Sequence, residues 1–191
     1  MKIRLYLCVF LSVLLLSGCV VIGLRQHYSF LSKEERGLVV WTNLEDSLKN
    51  IKNDERIYAI TGGQMHEMIK DCERAMIYCW SPHCTSEHCV SLDYLQRNCN
   101  EKSVELFVIV DYFDDAFCQI SSLTDHPLFI INSKYYGSEY CKRLERLFFV
   151  DLLGENEYKN QEENFWYRYI YFENGNFVTL MQDPSELNYK L

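Results

Sequence analysis

The stretch Arg74 to Cys89, R-A-M-I-Y-C-W-S-P-H-C-T-S-E-H-C, constrains this chain more than any other. Ala75 to Trp80 has no polar break and predicts a buried strand. Ser81-Pro82 stops it, because proline has no N–H to give a central ladder. Thr85, Ser86 or a residue just before them can cap a predicted helix over residues 85–99 that carries Val90, Leu92 and Leu95. Cys84 is therefore expected where a strand ends and a helix begins. The unpaired N–H groups and positive dipole end of a first helical turn favour thiolate. Such sites can bring a thiol from ~8.5 down to roughly 3.5–7.5. Cys84 is thus the expected nucleophile and Cys89 its resolving partner. One condition follows from geometry. Held in one regular helix, the two residues would have Cα atoms about 8–9 Å apart. A disulfide needs less than roughly 7 Å. The bond therefore requires Cys84 in the loop before the helix, or an unwound first turn.

These residues resemble the thioredoxin superfamily. Trp80 lies before Cys84 as in the family's F-W-x-x-W-C stretch. C-T-S-E-H-C looks like the C-T-x-E-x-C run of the bacterioferritin-comigratory peroxiredoxins, with Glu87 at the E position, and Ser81-Pro82 resembles their T-P. The chain departs from both patterns: Glu87 stands where thioredoxins have a second cysteine, Tyr78 where they have a carboxylate, and Ile77 where peroxiredoxins have a proline. The resemblance implies an α/β, thioredoxin-like mixed sheet flanked by helices. It also implies thiol–disulfide or thiol-peroxidase chemistry, no organic cofactor, and electrons from a partner thiol protein. Trp80 is expected beside the pair. The family's cis-proline slot falls on Tyr167, or on Pro127 if residues 126–132 form the facing strand. Arg168 is comparable to the arginine that steadies a peroxidatic thiolate.

Compartment decides how nine cysteines are read. Lys2 and Arg4 precede the apolar run Leu5 to Leu16, and Leu16-Ser17-Gly18-Cys19 follows. This resembles a bacterial lipoprotein signal over residues 1–18, which implies lipid on Cys19. Alternatively, Leu5 to Leu24 is long enough to remain as an uncleaved anchor. Either way the basic residues stay inside, so the folded part is expected outside the cytoplasm, on a membrane. The formal charge of −8 argues against nucleic acid as a partner.

Along the chain, residues 19–55 read as a stem, partly folded on the surface of a domain spanning 56–191. Residues 56–61 read as a strand broken by Gly62-Gly63, Gln64 to Cys72 as a helix, and Val104 to Val110 as a strand for the middle of a sheet. An insertion is expected over about 111–164. It holds a strand-like L-F-I-I run at 128–131, an amphipathic helix over Ser138 to Leu153, and a polar loop over 154–164. Phe165 to Phe172 and Asn176 to Leu180 flank Asn174-Gly175, the strongest short hairpin signal.

His83, Cys84, His88 and Cys89 are also possible metal ligands, but they cannot all converge from one helix start, and no metal is expected. His83 is expected as a cation that favours the thiolate. Cys79 is expected as inert core, and Cys118 and Cys141 could staple the insertion. The rival expectation is a redox-inactive fold serving as a binding or assembly module.

Overall fold

The computed structural model describes residues 25–81, 83, 84, 86, 89–114, 117–161 and 168–189. The signal segment, Cys19, Pro82, Thr85, Glu87, His88, Tyr167 and the Cys118 side chain lie outside that description. The chain forms a mixed α/β fold around one seven-stranded sheet, in the order β1-β2-β5-β4-β3-β6-β7. The strands are β1 (Val39–Trp41), β2 (Ile57–Ile60), β3 (Arg74–Trp80), β4 (Glu105–Val110), β5 (Leu128–Ile131), β6 (Tyr169–Glu173) and β7 (Asn176–Met181). β1, β2, β5, β4 and β3 run parallel, whereas β6 and β7 run antiparallel at one side.

The helices are α1 (Lys33–Gly37), α2 (Gly62–Ile69), α3 (Leu92–Glu101), α4 (Phe117–Ile120), α5 (Ser133–Tyr136), α6 (Cys141–Leu153) and α7 (Glu155–Gln161). Successive β3 side chains enter opposite cores, as a pleated strand dictates. Ala75 and Ile77 pack with Met65, Ile69, Phe148 and Leu152 of α2 and α6. Met76 and Tyr78 pack with Leu92, Leu95 and Cys99 of α3. Both faces of the sheet are thus covered, as the unbroken apolar run of β3 requires.

Two boundaries differ from the expectation. Residues 25–55 are part of the domain: β1 pairs with β2, and Leu31, Val39 and Leu48 are buried. The cause is the L-V-V-W run, whose apolar side chains extend the sheet once β2 offers a free edge. The expected insertion also supplies β5, which sits between β2 and β4. Its four side chains are all buried, so the run belongs at the middle of the sheet.

Smaller differences follow local chemistry. Gly62 and Gly63 are the first residues of α2, because a Thr61–Gln64 capping box starts the helix before them. Part of the polar stretch after α6 forms α7. The hairpin is present, with Asn174 at φ 49° and Gly175 at φ 73°, the left-handed pair that a tight hairpin turn needs. Among the described residues, no helix is long and apolar enough to cross a membrane.

Candidate functional site

In register, Trp80 pairs with Val110, and Val110 with Ile130. The carboxyl ends of β3, β4 and β5 therefore form one edge of the sheet. Open parallel sheets place ligands and chemistry at that edge.

Beyond β3, Cys84 and Cys89 are joined by a disulfide with Cα atoms 6.1 Å apart. Each cysteine closes a short turn: the Cys84 N–H donates to the Ser81 carbonyl at 3.1 Å, and the Cys89 N–H to the Ser86 carbonyl at 3.0 Å. Both residues are half-buried. The expected pairing is thus present, and the geometric condition on it is met. The expected helix start is not. α3 begins at Leu92, after Ser91. A regular helix through both cysteines would hold them too far apart to bond. Ser91 holds the N-cap position in extended backbone without a side-chain cap bond, and Asp93 in the first turn suits the positive end of the helix. Cys84 therefore does not sit at the positive end of a helix.

The other predicted residues scatter. Trp80 ends β3 half-buried against the α3-side core, and its carbonyl accepts the Asp111 N–H at 3.0 Å. His83, with its side chain 63% exposed, pairs through Nε2 with Asp114 Oδ2 at 2.9 Å, which ties the disulfide loop to the exit of β4. Pro127 precedes β5 and so lies at the amino-terminal end of the parallel strands, away from the cysteines. Its residue register is set by Leu128 pairing with Ile57. There are no cis peptide bonds among the described residues.

Arg168 is close by but supports the strand. Its Nη1 donates to the Cys79 carbonyl at 2.9 Å and lies 3.4 Å from Asp111 Oδ2. Its own carbonyl accepts the Cys79 N–H at 2.9 Å. Asp111, Glu145 and Gln26 complete the neighbourhood, and the sequence reading singled out none of them. The available signal was position: Asp111 is the first carboxylate after a strand of unbroken apolar character. Gln26 is 2% exposed and donates from Nε2 to the Ile131 carbonyl at 2.8 Å.

Burial sets the electrostatics here. Asp111 is raised above the usual carboxylate range by burial, against the opposing pull of Arg168 and Ser81. Glu145 is raised to about 7 by burial and by the nearby Asp111 charge. The thiol of Cys79 is pushed well up, that of Cys141 to about 12 and that of Cys99 to about 12, in each case chiefly by burial. Those three sulfurs stay protonated and unreactive at neutral pH. Cys141 does not act as a staple: it is a free thiol whose Sγ–H meets the Asp111 carbonyl at 3.4 Å.

The raised Glu145 acid predicts a pH dependence. The folded state binds this proton more tightly than the unfolded chain does. The resulting stabilisation is complete below about 4.5, the unfolded value, and is lost as pH rises through about 7. Glu145→Gln keeps the shape and removes the charge. It is expected to gain on the order of 2 kcal/mol over the parent at pH 8 and little near pH 5. Thermal unfolding at the two pH values checks this.

Comparison with protein-family models, curated proteins and solved structures gives no match for the chain.

Proposed function

We propose that this protein is a thiol–disulfide exchange protein of the bacterial envelope, held on a membrane by lipid at Cys19, with a thioredoxin-like fold. The observation that carries the reading is the half-exposed Cys84–Cys89 disulfide in a loop off the carboxyl end of β3. A disulfide accords with an oxidising compartment. The β3-α3-β4 unit beside an antiparallel hairpin accords with the thioredoxin-like reading.

In the reduced protein, the Cys84 thiolate attacks one sulfur of a substrate disulfide. The other substrate sulfur leaves as thiolate, and a mixed disulfide remains on Cys84. The Cys89 thiolate then attacks the Cys84 sulfur, which forms the Cys84–Cys89 bond and expels the second substrate thiol. Two electrons pass to the substrate, and the oxidised protein is the state with the bond closed. With a peroxide as substrate, Cys84 becomes a sulfenic acid and Cys89 expels water. A partner dithiol protein returns the two electrons.

Full-length protein in detergent should catalyse insulin disulfide reduction by dithiothreitol. Cys84→Ser should fall to the uncatalysed rate, and Cys89→Ser should accumulate a mixed disulfide. Wild-type activity in Cys84→Ser would sink the proposal.

One observation favours a second reading, a redox-inactive binding or assembly module. The start of α3 at Leu92 removes the helix-dipole activation expected for Cys84. The disulfide would then be a staple, and closing so short a loop stabilises by only about 2 kcal/mol in the chain-entropy model.

A further inference from the structure

The first described residues lie across the same sheet edge as the disulfide loop. Arg25 forms a bridge with Tyr140, and Gln26 is bonded to Glu139, Ile131 and Phe113. The apolar run Leu5 to Leu24 directly precedes Arg25 in the sequence. A chain coming from a membrane thus enters the domain at the carboxyl ends of β4 and β5.

The surface around that entry has an unusual balance for a protein of net charge −8. Arg25, Lys134 and Arg143 line one shallow depression with a single carboxylate, Glu139. Tyr140, 55% exposed, lines the same depression, whereas Tyr135 lies off it beside Glu45 and Asp46. The Arg25 guanidinium lies 5.0 Å from the Tyr140 ring centre, and the Lys134 ammonium 3.9 Å from that of Trp41. Cations with a half-exposed tyrosine suit the layer where lipid headgroups meet the acyl region. Elsewhere, the amino end of α2 is filled from within, since the Gly63 N–H donates to Asp151.

We propose that this edge docks on a membrane surface rich in anionic lipid, with Arg25, Lys134 and Arg143 on headgroup phosphates and Tyr140 at the interface. β3 is two strands from β5, about 10 Å along the edge. The disulfide loop is therefore held near the lipid surface. Given the proposed thiol chemistry, on which this consequence rests, its substrates are thiols or disulfides of membrane-attached proteins.

The test uses the full chain, reconstituted in vesicles of phosphatidylcholine alone or with about a quarter phosphatidylglycerol. Amide hydrogen exchange is read in peptides covering residues 133–143. Exchange should slow severalfold on the anionic vesicles, and the protection should vanish in roughly 0.5 M salt. It should also vanish in the triple variant Arg25→Gln, Lys134→Gln, Arg143→Gln. Unchanged exchange on anionic vesicles overturns the proposal. So does equal protection on neutral vesicles, or protection in lipid-free detergent that grows with protein concentration, which marks a second copy of the chain. The insulin assay in detergent is run on the same triple variant. That variant should keep reducing insulin while losing the lipid protection. In the parent chain, retained reduction with no lipid protection would end the docking proposal alone, whereas lipid protection in a parent chain that reduces nothing would end the redox reading alone.

Discussion

Gly62→Ala should destabilise the protein by about 3 kcal/mol or more, the upper range for overpacking a close-packed contact. Gly63→Ala beside it should be neutral or stabilise by roughly 0.5–1 kcal/mol. A Cβ on Gly62 would lie 2.2 Å from the Phe148 carbonyl oxygen and 2.7 Å from the Leu152 nitrogen, both backbone atoms of α6. No side-chain rotation relieves that clash. Helices α2 and α6 would have to separate, opening the core that joins Met65 and Ile69 to Phe148 and Leu152. A Cβ on Gly63 meets nothing nearer than Asp151 Oδ1 at 3.7 Å, an ordinary contact. There the substitution only removes unfolded-state entropy from a helical position. Urea unfolding of the two variants checks the pair of signs. Equal effects would show that α2 and α6 are not in the close contact described.

Arg168→Met should cost about 3 kcal/mol at pH 8, the low end for removing one partner of a buried ion pair. The Arg168 side chain is 30% exposed and that of Asp111 20%, so water softens the loss. Without the guanidinium, Asp111 and Glu145 face each other's charge with the Arg168 attraction gone. Their acids rise further above unfolded values, and folding takes up more protons. The deficit should therefore shrink as pH falls toward 5, where both carboxyls are protonated more easily. Adding Glu145→Gln should recover part of the loss at pH 8, because the two changes share one neighbourhood and do not add. Urea midpoints at pH 5 and 8 decide it. An equal loss at both would reduce Arg168 to its hydrogen bond on the Cys79 carbonyl.

Legibility in the sequence followed the range of the interaction. The strand Arg74–Trp80, the Asn174-Gly175 hairpin and the helix Cys141–Leu153 rest on neighbours in the chain, and periodicity and turn chemistry expose them. The start of α3 was misplaced because Thr85 or Ser86 and Ser91 are all plausible caps. The disulfide rules out only a regular helix that holds both cysteines, and no local signal ranks Ser91 above the earlier caps. Pro127, the alternative to Tyr167 for the slot facing the cysteines, lies at the far end of the sheet because β5 runs parallel to its neighbours, and no local pattern encodes strand direction.

By itself, then, the sequence determined that a buried strand would end just before a cysteine pair, that apolar runs would build an α/β sheet, and that a hairpin would close it. Those outcomes depend on side-chain periodicity and on φ preferences of single residues. Tertiary structure alone decided that β5 enters between β2 and β4, that Val39–Trp41 joins the sheet and brings residues 25–55 into the domain, and that Arg168, Asp111 and Glu145 meet near the exit of β3. Those depend on which distant segments can cover each other's apolar faces, and no residue's own preference carries that information.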